Sequence, residues 1–308
     1  MGLLCRKVLG FRHERGVVPV ANFNASLLGS KKKREALGRG IAYLLLITLS
    51  VIFAFPLFWL LSTSLKPDTQ IFMFPPKLIP NPIVWQNYIK VLPLLRFRVT
   101  VVNSLVIAFG EVMGTVISSS LVAYSFARLR WPGRDILFVA LLSTMMIPYA
   151  VTMIPIFIVF NKLGWINTFK PLIVPSFLGN AFYIFLLRQF FLTIPTDLSD
   201  AARIDGCSEL GIYWRIVLPL SKSTVAVVAI FAFLNGWNDF LGPLIYLNDQ
   251  NKWTLSLALH AMRSAQIGEI NWSGIMAGSA MMTVPIIILF FFTQKSFIQG
   301  ITLTGLKE

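Results

Sequence analysis

Charge is scarce in this chain. Only 13% of its 308 residues are Asp, Glu, Lys or Arg, about half the share in soluble globular proteins. With 56% hydrophobic residues, that excludes an ordinary water-soluble domain. Histidine and cysteine are nearly missing, at two each. His13 and His260 give no paired ligand spacing, so no metal site is expected. No Ser/His/Asp set falls on one side of a membrane, which argues against a membrane enzyme. Cys5 and Cys207 both lie in segments read as cytoplasmic, so no disulfide is expected. The phosphate-loop pattern G-x-x-x-x-G-K-[ST] does not occur, so the chain does not supply ATP chemistry of that kind itself. Residues 1–40 hold nine Lys and Arg and lack the apolar core of a secretory signal.

What the chain has is long apolar blocks. A helix needs about 20 residues to cross a bilayer. Six blocks meet that length, at roughly 40–64, 99–127, 135–160, 171–192, 219–247 and 275–297. The expected fold is therefore an all-α integral membrane protein with six transmembrane helices. The formal charge of +14 is read as membrane orientation rather than nucleic-acid binding. Lys31, Lys32, Lys33, Arg34 and Arg39 abut the first block, where they hold the N-terminus inside and meet anionic lipid. With both termini cytoplasmic, inner segments carry 18 Lys/Arg and outer loops 9. The basic tail of residues 1–39 makes that difference.

Proline punctuates the rest. The outer loop 65–98 holds Pro67, Pro75, Pro76, Pro80, Pro82 and Pro93, so it is expected to be extended, with a short helix near Trp85–Val91. Pro148, Pro155, Pro175, Pro243 and Pro285 fall inside the blocks. Kinks there suit either a moving pathway or a static bundle.

The odd segment is "SDAARIDGCSEL", Ser199 to Leu210, polar between greasy runs. A first short helix is read from Asp197 to Ile204, with Leu198, Ala201 and Ala202 on one face. Gly206 takes a left-handed conformation and ends it, with Asp205 in the turn. Ser208 caps a second helix carrying Leu210, Tyr213, Trp214 and Val217 at i, i+3, i+4, i+7. Pro219 is expected to push Leu218 out of the helix. The segment is either a stiff plug for a partner or an amphipathic loop lying on lipid.

In the fifth block, "NGWNDF" places Asn235, Asn238 and Asp239 on one face. Intramembrane polar groups mark substrate paths or interhelical bonds. Trp237 offers a ring face for a sugar. Glu111 is the other strongly buried-looking acid within the blocks, facing a pathway or a partner helix.

"DAARIDGCSELGIYWRIVLPLSKS" resembles the EAA loop of ABC-importer permeases. The match rests on Asp200, Ala201, Ala202, Asp205, Gly206, Leu218, Pro219 and Leu220. Asp200 stands where Glu is common, and Ser223 where Pro often follows. The segments "FPLFWLLSTSLKP" (55–67), "FPPKLIPNP" (74–82), "NSLVIA" (103–108), "LGWINT" (163–168), "NGWNDFLGPLIYL" (235–247) and "GITLTGLKE" (300–308) resemble the carbohydrate-uptake branch. Within it they are most similar to MalG-like and glycerol-3-phosphate-type permeases.

The resemblance implies an ABC-importer permease fold in three parts. A basic tail (1–39) precedes a six-helix domain (40–298) containing the coupling loop 196–222, and a cytoplasmic tail (299–308) follows. It implies a setting in a bacterial or archaeal cytoplasmic membrane. The chain would form half a pore with a second, different permease, two ATP-binding subunits and an extracytoplasmic solute-binding protein. ATP and Mg would be held by the ATPases, with no cofactor in this chain. The solute would be a sugar, oligosaccharide, polyol or sugar phosphate. The alternatives are a permease for an amino acid, phosphate or metal, or a secondary transporter.

ATPase coupling would fall to Asp200, Ala201, Ala202, Asp205, Gly206, Leu210, Tyr213 and Trp214. Gly300, Thr302 and Gly305 would make a second contact, unless that terminus frays. The substrate path or gate would involve Asn235, Trp237, Asn238, Asp239 and Glu111.

Overall fold

The computed structural model describes residues 25–264 and 271–305. The chain divides into two units, residues 1–57 and 58–308. Most of helix α1 (Ala25–Ser64) lies in the first, where its apolar side chains between Ile41 and Phe55 are exposed.

In the second unit, α2 (Gln86–Leu94) leads into the long α3 (Phe97–Arg128). Helices α4 (Arg134–Ser143) and α5 (Tyr149–Lys162) follow, then α6 (Lys170–Ile173), a 3-10 segment (Val174–Leu178) and α7 (Ala181–Thr193). Two short helices come next, α8 (Thr196–Ile204) and α9 (Glu209–Ile212). A π turn (Tyr213–Val217) joins α9 to α10 (Leu218–Leu220) and the longer α11 (Lys222–Asn238). The described chain ends with α12 (Leu241–Tyr246), α13 (Leu255–Ser264) and α14 (Trp272–Gly305). Among the described residues there is no strand.

Four stretches are long and apolar enough to cross a membrane, 36–64, 97–128, 170–193 and 272–294. Two bent pairs qualify together: 134–146 with 149–162, bent by 98°, and 209–220 with 222–238, bent by 83°. Counting each pair as one span gives six. The block read as one helix over 135–160 is therefore broken. Ile147 is extended ahead of Pro148 (ψ 114°), because the proline ring disfavours helical backbone at the preceding residue. The same rule fails at Leu218, which stays helical before Pro219 (φ −64°, ψ −44°). Pro219 occupies the first turn of α10, where its missing N–H costs little. The bend falls later, at Ser221 (φ −100°, ψ 13°). The fifth block also ends early, since Asp239 turns extended (ψ 123°).

Helix α3 is the axis of this unit, packing on α7, α11 and the 3-10 segment. Small residues make that approach possible, as in membrane bundles generally. A Cβ on Gly114 would collide with Ser176 Oγ and come 2.7 Å from the Phe177 ring. One on Gly236 would sit 3.0 Å from the Ala108 backbone. Overpacking of this kind costs roughly 1–3 kcal/mol. Gly114→Val is accordingly expected to lower the melting temperature of the detergent-solubilised protein by several degrees; an unchanged melting temperature would show that the 3-10 segment yields freely.

Two buried clusters flank the axis. One gathers Ala123, Tyr124, Phe126, Leu187, Phe191, Ile212, Tyr213 and Val217. The other gathers Val91, Leu95, Ala108, Phe233, Trp237, Leu255 and Ala277. The start of the proline-rich loop is pinned to α2, not left free. Asn87 Nδ2 donates to the carbonyls of Ser64 and Lys66, both at 2.9 Å, and Tyr88 shares a hydrogen bond with Ser64 Oγ at 2.7 Å. Lys66, 1% exposed, places its ammonium 4.1 Å from the centre of the Trp59 ring, an attraction that offsets part of its desolvation. Burial holds its pKa below the ordinary lysine value.

Candidate functional site

Two groups of residues carry chemistry, one at the α8–α9 turn and one in a cavity beside α11. The turn closes as a Schellman motif. Cys207 N–H donates to Ala202 O at 2.9 Å and Gly206 N–H to Arg203 O at 3.0 Å. Gly206 has φ +80°, which L residues resist. Ser208 Oγ then accepts from Gly211 N–H at 3.2 Å and starts α9.

Charge locks the two helices together. Arg203 Nη1 donates to Asp200 Oδ1 at 2.6 Å and Arg203 Nε to Glu209 Oε1 at 2.8 Å. The hydrogen bond to Glu209, more than that to Asp200, holds the Arg203 pKa above its ordinary value. The other oxygen of Glu209 accepts from Tyr124 Oη on α3 at 2.7 Å. One turn earlier on α3, Ser120 Oγ shares a hydrogen bond of 2.7 Å with Tyr213 Oη. One turn later, Arg128 Nη2 donates to Ile194 O at 2.6 Å. Ser120, Tyr124 and Arg128 thus form a polar stripe at i, i+4, i+8, tying α3 to everything beneath it. The sequence reading missed this stripe. Its signal was present as Ser120, Tyr124 and Arg128 at i, i+4 and i+8.

The faces of the two short helices divide differently from expectation. Ser199 and Ala202 are buried, whereas Leu198 and Ala201 face outward. On the second helix Tyr213 and Val217 are buried, but Leu210 and Trp214 are 59% and 55% exposed. The π turn over Tyr213–Val217 changes the helical period, so a stripe counted on α-helical spacing splits. Ile204, 87% exposed, joins Leu198, Leu210 and Trp214 as an outward apolar set. An uncovered apolar surface of this kind ordinarily meets a partner.

The cavity has a volume of about 530 Å³ and is lined by residues of α3, α5, α6, the 3-10 segment, α7, α11 and α12. Glu111, Asn235 and Asp239 line it, together with Asn180 and the aromatic rings of Tyr149, Tyr183 and Tyr246. Asn235 Nδ2 donates to Glu111 Oε1 at 2.6 Å. Asp239 Oδ1 accepts from Gly242 N–H at 3.1 Å, which caps α12. Asp239 can approach so closely because Gly242 has no side chain: a Cβ there would overlap the carboxylate.

Two expected members lie elsewhere. Trp237 is 1% exposed, stacked on Phe233 with ring centres 5.8 Å apart, and donates to Met282 O at 3.1 Å. It has no ring face open to a sugar; it fastens α11 to α14. Asn238 folds back on its own helix, donating to Leu234 O at 2.8 Å. Gly300, Thr302 and Gly305 lie on the helical backbone of α14, and residues 306–308 lie outside the described residues. Among the described residues, no three of His, Cys, Asp and Glu converge as metal ligands would.

An all-α chain with four to six apolar stretches long enough to span a membrane, a capped two-helix turn and a polar cavity among its helices fits a membrane transport component. Residues 116–303 match the family described as "Binding-protein-dependent transport system inner membrane component", and the chain belongs to it. It is 36% identical over 262 residues to the arabinooligosaccharides transport system permease protein AraQ of Halalkalibacterium halodurans, covering 84% of this chain and 93% of that one. It is 31% identical over 265 residues to the sn-glycerol-3-phosphate transport system permease protein UgpE of Yersinia enterocolitica, covering 84% and 94%. A crystal structure of a bacterial ABC transporter involved in the import of the acidic polysaccharide alginate has the same fold. The match has a TM-score of 0.74 at 23% identity, covering 85% of this chain and 97% of that one. The protein is thus a multi-pass ABC-importer permease, a transport component whose ATP is hydrolysed by other subunits.

Proposed function

We propose that this chain forms half of the translocation pore of a carbohydrate importer. Its α8–α9 plug seats in an ATP-binding subunit and passes that subunit's closure to the membrane helices. The observation that carries the reading is the plug itself. It is stiffened by a Schellman turn and a serine cap, bonded to α3 through Tyr124 and Tyr213, and apolar on its outer side.

Coupling of this kind needs different contacts in the two states of the transporter. A floppy loop would absorb the ATPase stroke, and a capped pair of helices does not. The carbohydrate class is supported by relatives named for arabinooligosaccharides and glycerol 3-phosphate. The complex would comprise this chain, a second and different permease, two ATPases and an extracytoplasmic binding protein. Both termini would be cytoplasmic, in a bacterial or archaeal cytoplasmic membrane. The end of α14, with Gly300, Thr302 and Gly305, would give the ATPases a second contact.

Affinity purification from membranes tests this. The chain is expected to bring down an ATP-binding subunit and a second permease; a chain that transports alone in vesicles would be a secondary carrier. Asp200→Lys reverses a charge beside Arg203 on the plug. It is expected to reduce ATPase recovery roughly five-fold, about 1 kcal/mol. Unchanged recovery would remove Asp200 from the docking surface.

A further inference from the structure

The cavity beside α11 holds two carboxyl groups and no base. Glu111 and Asp239 both line it, and among the described residues neither Lys nor Arg does. No ion pair neutralises either acid among those residues. Glu111 is met by the Asn235 amide and Asp239 by backbone N–H. The remaining polar lining consists of residues that exchange hydrogen bonds with hydroxyls: Thr115, Ser176, Asn180, Tyr149, Tyr183 and Tyr246. Phe160 and Tyr246 also line the cavity, their rings meeting edge to face at 5.5 Å.

We propose that this cavity admits uncharged polyhydroxy solutes, with Glu111 and Asp239 accepting hydrogen bonds from sugar hydroxyls and turning away phosphates and carboxylates. The inference rests on the permease reading above and narrows it. The relatives handle both kinds of solute, since arabinooligosaccharides are neutral and glycerol 3-phosphate is an anion. A phosphate passing this wall would shed water beside two carboxyl groups, with no Lys or Arg among the described lining residues to receive it. A neutral sugar meets acceptors for its hydroxyls at the same positions.

Two measurements test the proposal. In the first, Tyr149, which is 47% exposed and lines the cavity, is replaced as Tyr149→Cys in the full-length chain purified with whatever subunits accompany it. Cys5→Ser and Cys207→Ser remove the native thiols. This chain's single thiol, read after the labelled permease is separated from its partners, is labelled at mildly alkaline pH with a trimethylammonium thiosulfonate and with a sulfonate-bearing one, each normalised to a free thiol. The cationic reagent is expected to react at least ~10-fold faster, and Glu111→Gln with Asp239→Asn together to collapse that ratio. A ratio near one, or a ratio untouched by the double replacement, overturns the proposal.

In the second, proteoliposomes with internal ATP and the binding protein are offered labelled arabinotriose, trigalacturonate and sn-glycerol 3-phosphate. Accumulation of either anion at half the neutral rate or more also overturns it. Failure of the permease reading is read separately, as absence of an ATP-binding subunit from the purified complex; the thiol ratio does not depend on that result.

Discussion

Gly206→Val is expected to leave the protein inserted in the membrane but to cut ATP-driven uptake at least ~10-fold. The position is open: nothing lies within 4 Å of where a Cβ would be. Crowding therefore cannot be the cause of any loss. The backbone can, because φ is +80° and an L residue in that region costs about 1–2 kcal/mol, with a β-branched one at the upper end. About 1.4 kcal/mol is a factor of ten. That sum is too small to unfold a multi-helix membrane protein. It is large enough to undo a two-bond turn, releasing the Cys207–Ala202 and Gly206–Arg203 hydrogen bonds and freeing α8 from α9. Gly206→Asn, which tolerates positive φ, is expected to retain most uptake. Equal, normal uptake by the Val and Asn variants, with equal amounts in the membrane fraction, would show that the turn does not need its left-handed residue.

Local features were legible wherever the cause was local. Gly206, the Ser208 cap, the helix near Trp85 and four of the apolar blocks follow from neighbours within a few positions, and each has a counterpart in the structure; the other two are bent helix pairs. What failed depended on partners far away or on a change of helical period. Glu111 and Asn235 are 124 residues apart, and no periodicity links them. Trp237 shares its run with Asn235 and Asp239, yet its ring is claimed by Phe233 and Met282. The face of Leu210, Tyr213, Trp214 and Val217 was drawn on 3.6 residues per turn, and around the π turn it divides into exposed Leu210 and Trp214 and buried Tyr213 and Val217. Pro148 bent its span and Pro219 did not. The difference is position within a turn, which tertiary packing sets.

Helix α3 joins the two groups of functional residues. Glu111 and Thr115 line the cavity, and Ser120 and Tyr124 hold the plug. Nine residues separate Glu111 from Ser120, about 13.5 Å along a helix axis. In the proposed mechanism a displacement of the plug would reach the cavity wall through this one continuous helix. Helix α11 offers a second route, but it is separated from the plug by the 83° bend at Ser221. A hinge transmits force poorly along its axis, so α3 is the stiffer path in the proposed mechanism.

Tyr124→Phe isolates that path. The substitution removes one oxygen, leaves the ring in its packing against Tyr213 at 5.4 Å, and deletes the hydrogen bond to Glu209. Hydrogen bonds to charged groups are worth about 1.5–3 kcal/mol, so the coupling equilibrium is expected to shift by ten-fold or more. Glu209 keeps its bonds to Arg203, so the plug stays folded and the ATPase still docks. The expected signature is therefore a split: co-purification of the ATPase unchanged, ATP hydrolysis persisting, and solute uptake per ATP falling about ten-fold. Glu209→Gln is expected to give the same split with weaker docking, because it also loosens Arg203. A Tyr124→Phe complex that imports as much solute per ATP as the parent would show that the stroke bypasses this bond, and α11 across its bend would have to carry it.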